Sequence, residues 1–92
     1  MTKVRFELEA KGASKVFLVG DFTDWEAEPR RMRRSQRGKD VFSTKVDLEP
    51  GVYQYKYLVD GEWCTDPTAR ELPNVHGTTN SVVEITADGK PT

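Results

Sequence analysis

Trp63 and Lys56 are the side chains whose types and spacing most plainly could do chemistry. An indole offers a flat apolar face with one polar N–H, and an ammonium offers three donors and a charge. The two flank Asp60-Gly61, a dipeptide suited to the positive φ angles of a two-residue β-hairpin turn. With that turn, Val59 faces Glu62, Leu58 faces Trp63 and Lys56 opposes Thr65. Side chains alternate along strands, so Lys56, Leu58, Trp63 and Thr65 share one face. Tyr53, Tyr55, Tyr57, Val59 and Cys64 share the other, which is expected to be core. That face is expected to meet Phe42, Thr44 and Val46 beyond the Leu48-Glu49-Pro50-Gly51 turn. Trp63 then points outward, diagonal to Lys56 at about 7–8 Å. A tryptophan beside a leucine, with a lysine in reach, is a surface that wants a ligand. A loop laid over Trp63 would instead make it core, and the pattern alone leaves both readings open.

Other chemistries find less support. His76 is the single histidine and Cys64 the single cysteine, so neither a metal site nor a nucleophile–base pair is expected. One cysteine also excludes an internal disulfide, which suits a reducing compartment. Asp21, Asp24, Glu26, Asp60 and Asp66 are numerous but sit in turns, where acidic residues are common anyway. Glycoside hydrolysis needs two carboxylates about 5–10 Å apart across a cleft, and nothing in the spacing singles out such a pair. The run from Arg30 to Lys39 is basic but carries no interleaved aromatics and no recognition motif, which argues against nucleic acid. A solvated edge strand guarded by charge explains it better, with docking to an acidic protein partner as its alternative use. No cofactor is implied.

The elements that must position these residues read as strands. Val4, Phe6 and Leu8 alternate with charged residues, the mark of a half-buried strand. Lys15 to Val19 reads as a strand buried on both faces, and residues 20–24 as a loop dense in turn formers. Phe42, Thr44 and Val46 mark a third strand and Val52 to Val59 a fourth. Glu62 to Thr65 returns from the hairpin until Asp66-Pro67 stops it. A loop with Pro73 and Gly77 leads to a last strand, Asn80 to Ile85, and residues 87–92 read as a flexible tail. About seven short strands with no convincing helix predict an all-β sandwich over residues 1–86. A length of 92 residues suits one domain. A net charge of −1 supplies no field to draw nucleic acid or an anionic membrane. The start of the chain alternates and is charged, with no secretory signal, and no stretch is long enough for a membrane helix, so the expected location is cytoplasmic.

The run Val16-Phe-Leu-Val-Gly-Asp-Phe-Thr-Asp-Trp25 is followed by Gly51-Val-Tyr-Gln-Tyr-Lys-Tyr-Leu-Val-Asp-Gly-Glu-Trp63, Asp66-Pro67 and Gly77-Thr-Thr-Asn80. In this order and spacing the motifs resemble the family 48 carbohydrate-binding modules, among them the glycogen-binding domain of the AMP-activated protein kinase β subunit and the N-terminal modules of branching and debranching enzymes. Each motif is weak alone, but together they span nearly the whole chain. The resemblance implies an immunoglobulin-like antiparallel β-sandwich that binds α-1,4-linked glucans such as glycogen or starch. In the glycogen-binding members two tryptophans stack on glucose rings, a lysine and an asparagine bond the hydroxyls, and a loop residue and a threonine complete the site. These roles fall on Trp25 and Trp63, on Lys56 and Asn80, and on His76 and Thr78. His76 departs from the leucine that kinase-type domains carry there, which puts the grip on a curved glucan in doubt.

The chemistry is reasonable apart from the name. The axial C–H groups of glucose form an apolar patch suited to an indole face, and its equatorial hydroxyls need donors and acceptors. The expected function is therefore non-catalytic binding of an α-glucan. The rival is a structural or protein-interaction module that docks on an enzyme partner without gripping sugar, and the exposure of Trp63 separates the two.

Overall fold

The computed structural model describes residues 2–35, 40–75 and 77–88. Three sequence expectations fall partly or wholly outside these residues: His76, positions 36–39 of the basic run, and positions 89–92 of the tail. Nine strands follow one another among the described residues: β1 (Thr2–Glu9), β2 (Val16–Gly20), β3 (Arg30–Arg31), β4 (Arg33–Arg34), β5 (Val41–Leu48), β6 (Gly51–Val59), β7 (Glu62–Cys64), β8 (Arg70–Pro73) and β9 (Thr79–Ile85). One sheet has the order β1-β5-β4. The other has the order β3-β2-β6-β9-β8, with β7 also paired to β6. All pairings are antiparallel.

Period-two alternation decides what lies between the sheets. From the smaller sheet Val4, Phe6 and Leu8 of β1 and Phe42, Val46 and Leu48 of β5 turn inward. From the larger sheet come Val16, Leu18, Tyr55, Tyr57, Val83 and Ile85. The Phe6 and Tyr55 rings meet edge to face at 5.0 Å across the sandwich. A slip of one residue in either strand would turn this set outward, so burial itself holds the register. The result is the expected all-β, immunoglobulin-like antiparallel sandwich.

The tyrosine face is core, as its spacing predicts, and Cys64 packs partly buried against it. Tyr53 lies at its margin, partly buried, with its hydroxyl on the Glu49 carbonyl. The other two hydroxyls converge on a residue read from the sequence as a mere turn former. Asp66 is buried, and its Oδ2 accepts from Tyr55 Oη at 2.8 Å and Tyr57 Oη at 3.4 Å. Its Oδ1 accepts from the Thr68 backbone and hydroxyl, and its own N–H donates to Ser81 Oγ at 2.7 Å. Burial first, then the neighbouring Asp66, holds both phenols far above the ordinary tyrosine range.

Three details differ from the sequence reading. β5 and β6 belong to different sheets, so Phe42 and Val46 meet the tyrosines across the core, and the turn at Glu49-Pro50 is a corner between layers. The basic run divides: β3 lies on the edge of the larger sheet and β4 on the edge of the smaller. Between them Met32 is buried, its N–H donating to the Val16 carbonyl at 2.8 Å. Finally, β8 occupies a stretch read as loop. Its four residues are all exposed and show no inward alternation, and Pro73 is an unusual strand residue except at an edge.

Candidate functional site

β6 is the floor of the site. Its inward tyrosines force Gln54, Lys56 and Leu58 onto the outer face of the larger sheet. Asp60 and Gly61 have φ of 48° and 87°, the geometry of the expected hairpin, and β7 returns with Val59 opposite Glu62 and Leu58 opposite Trp63. Trp63 therefore stands outward and is 44% exposed. The Lys56 ammonium lies 5.8 Å from the centre of its ring, within cation–π range.

One edge of β6 is divided between two partners. β9 pairs with Gly51–Tyr55 and β7 with Tyr57–Val59, so Lys56 falls at the gap. On the opposite edge β2 pairs through Val19 with Lys56 and ends at Gly20. A Cβ at Gly20 would stand 2.6 Å from the Gln54 carbonyl oxygen and 2.9 Å from Tyr55 Cβ, so only glycine lets the strands approach this closely.

The chain beyond Gly20 carries the other indole. Asp21 Oδ2 accepts the Gln54 N–H at 2.8 Å and pins the loop to the floor. The buried Thr23 hydroxyl accepts the Gly20 N–H at 2.9 Å and lies 2.9 Å from the Trp25 carbonyl oxygen. Asp24 and Trp25 both then adopt φ of 52°, in the left-handed region. For a bulky side chain this is rare and costs of order 1–3 kcal/mol, and such strain gathers at functional sites. Trp25 lines the same groove as Trp63.

The third wall is the loop from Asn74 to Thr78. Asn74 closes it by donating its N–H to the Thr78 carbonyl at 2.9 Å and accepting the Thr78 N–H on Oδ1 at 3.2 Å. Its Nδ2 donates to Thr78 Oγ1 at 2.8 Å and Asn80 Oδ1 at 3.0 Å. Asn80 Nδ2 in turn donates to Gln54 Oε1 at 3.0 Å, and Lys56 Nζ donates to Thr78 Oγ1 at 3.3 Å. A continuous polar chain thus runs from Gln54 through Asn80, Asn74 and Thr78 to Lys56. Asn80 is only 7% exposed, so much of its amide is engaged in this chain.

These walls enclose an open groove of about 860 Å³. Of the residues expected at the site, the structure brings Trp25, Lys56, Trp63, Thr78 and Asn80 to this one groove, while His76 lies outside the described residues. Glu26, Gln54, Pro73, Asn74 and Val75 also line it and were not anticipated. Gln54 was within reach, since it shares the outer face of β6 with Lys56. Asn74 carried no comparable signal, because its role depends on a loop closure that spacing alone does not show. Chemically, the groove offers two indole faces and a row of amide, hydroxyl and ammonium groups between them. Among the described residues no group of three or more histidine, cysteine, aspartate or glutamate side chains is placed to hold a metal ion.

Comparison with known proteins fits this arrangement. The structure is similar to a pullulanase from Paenibacillus barengoltzii, with a TM-score of 0.59 and 26% identity over 90% of this chain and 13% of that one. FLOURY ENDOSPERM 6 of Oryza sativa subsp. japonica, a chloroplastic protein, is 43% identical over 74 residues, which is 80% of this chain and 13% of its own length. The β-1 subunit of 5'-AMP-activated protein kinase from Sus scrofa is 35% identical over 74 residues, again 80% of this chain and 57% of the subunit. The chain thus spans less than two thirds of either relative. The cytoplasmic location expected from the sequence is overturned here, since a relative this similar is chloroplastic. The model of the family described as the glycogen recognition site of AMP-activated protein kinase matches residues 2–91, and the chain belongs to that family.

Proposed function

We propose that the groove binds an α-1,4-linked glucan, as glycogen, starch or a maltodextrin, and leaves it chemically unchanged. The observation that carries this reading is the convergence of Trp25, Trp63 and the polar chain from Lys56 to Asn80 on one groove, in a chain of the glycogen-recognition family. The indoles stack on the C–H faces of glucose rings. Lys56 donates to ring hydroxyls, and Thr78 donates or accepts at the rim. Asn80 acts through what remains exposed of its amide and by holding Asn74 and Gln54 in place. His76, outside the described residues, is assigned to the site by the family resemblance alone.

Two features support binding without catalysis and without a purely structural role. Glu26 is the one carboxylate among the groove's described lining residues, where glycoside hydrolysis uses a pair. Trp63 is exposed in the groove, whereas a docking module without sugar contact has no need to leave it so. An open, wet site of this kind gives modest affinity, roughly −4 to −8 kcal/mol, or millimolar to micromolar. A protein partner, such as an enzyme delivered to its polysaccharide, is compatible with this use of the groove.

Native affinity electrophoresis with glycogen in the gel tests this reading. Wild type should be retarded, and Trp63→Ala, at an exposed position, should stay folded and migrate freely. Wild type that runs unchanged at high glycogen would overturn glucan binding.

A further inference from the structure

An exposed strand edge is a template for another chain, and most edges of this sandwich are guarded. β3 and β4 are two residues long and entirely arginine. β7 has three residues, and β8 has four and ends in Pro73. β1 is different. It pairs with β5 over eight consecutive residues with no bulge, glycine or proline, and among the described residues nothing pairs with its other edge.

The charges on β1 are mixed where a guard would carry one sign, and they are arranged antisymmetrically. Lys3 and Arg5 precede Phe6, while Glu7 and Glu9 follow it, all four on the outer face. A second copy laid antiparallel about Phe6 sets Lys3 opposite Glu9 of the second copy and Arg5 opposite its Glu7, and the reverse. A parallel copy in register sets like charges together, which is unfavourable. Within one chain Arg5 already bridges Glu7 at 2.9 Å, on a part-exposed surface where such a pair contributes little. Across the edge Lys3 and Glu9 face opposite charges, Arg5 and Glu7 meet one beyond the partners they already have, and the backbone edge gains its hydrogen bonds.

We infer that β1 is a self-association edge, pairing antiparallel with β1 of a second copy through Lys3–Glu9 and Arg5–Glu7 contacts to make one continuous six-stranded sheet. The interface is isologous, as a two-fold axis through Phe6 requires. It lies on the sheet opposite the groove, so both grooves stay open.

Sedimentation equilibrium of the 92-residue chain from about 10 µM to about 1 mM, the range of a small transient interface, tests the inference. The mass should rise from 10.5 kDa towards about 21 kDa, twice that value, and the association should weaken severalfold in 1 M salt. A double variant Lys3→Glu/Arg5→Glu and a double variant Glu7→Lys/Glu9→Lys should each self-associate at least tenfold more weakly, and an equal mixture should restore the dimer. All four substitutions are outside the core, and circular dichroism checks folding. Should either variant unfold, amide exchange of wild type decides: β1 amides should slow with protein concentration while those of β9 do not. A wild type that stays monomeric overturns the inference. So do variants that associate as wild type does, a mixture that stays monomeric, or β1 exchange independent of concentration.

Discussion

Trp25 holds a backbone conformation that a bulky residue rarely takes, and Asn74 is what keeps the opposite wall in place. At this scale the sequence showed residue types but not all their duties. The outward direction of Trp63 was legible because a two-residue turn at Asp60-Gly61 leaves only one register. The orientation of Trp25 was not, because left-handed φ at two successive residues follows from the Thr23 hydroxyl and from packing on β6. Asn80 was legible as a groove residue, but its burial came from the Asn74 contact that spacing could not reveal. Asn74→Ala should therefore weaken glycogen binding about 5- to 30-fold, as expected when the loosened wall forfeits one or two hydrogen bonds to the glucan of roughly 1 kcal/mol each. The unfolding midpoint should move by no more than about 4–8 °C, the shift expected for roughly 1 kcal/mol in a domain of this size. Affinity electrophoresis beside a thermal melt separates the two effects, and a loss of binding no larger than the loss of stability would assign Asn74 a general structural part.

Among the elements, the hairpin β6–β7 ties the site to the rest of the sandwich. The Asp60 carboxylate accepts the N–H groups of Ser14 and Lys15 at 2.7–3.1 Å, joining the turn to the start of β2. The Lys15 and then the Ser14 backbone bonds hold the Asp60 pKa below its ordinary 3.8. A depressed carboxyl pKa stabilises the fold above 3.8, and that contribution disappears as pH falls through the lower folded value. Asp60→Asn should thus melt below wild type at pH 7, and the gap should close as the pH is taken towards 2. A gap that stays constant across the titration would show that the turn's charge plays no part. β1, β5 and β6 were readable because each alternates against one buried face, and β2 because its apolar run is buried on both. β8 was not, since all four of its residues are exposed and no apolar periodicity marks it. The division of the arginine run between two sheets was equally hidden, because the seam depends on one buried residue, Met32.

For the whole molecule, the two layers have different surroundings: the larger carries the groove, and the smaller offers β1. The all-β class and the sandwich followed from strand spacing, whereas strand order did not, because β5 and β6 are adjacent in sequence and lie in opposite layers. The strap that crosses between the layers gives the molecule a chemical clock. The Met32 thioether sits 2% exposed where the chain passes from one sheet to the other. With Met32 this buried, peroxide should reach its sulfur mainly when the layers part. A sulfoxide formed there is polar, and returning it to the seam without a partner costs about 1–3 kcal/mol. Each oxidation therefore makes the next opening easier, and the module records its own breathing as a gain of one oxygen at residue 32. Peptide mass spectrometry should find this mark slow to form in the native protein and much faster in urea just below the unfolding midpoint. A native rate equal to that of free methionine would mean that the two layers are never tightly closed at this point.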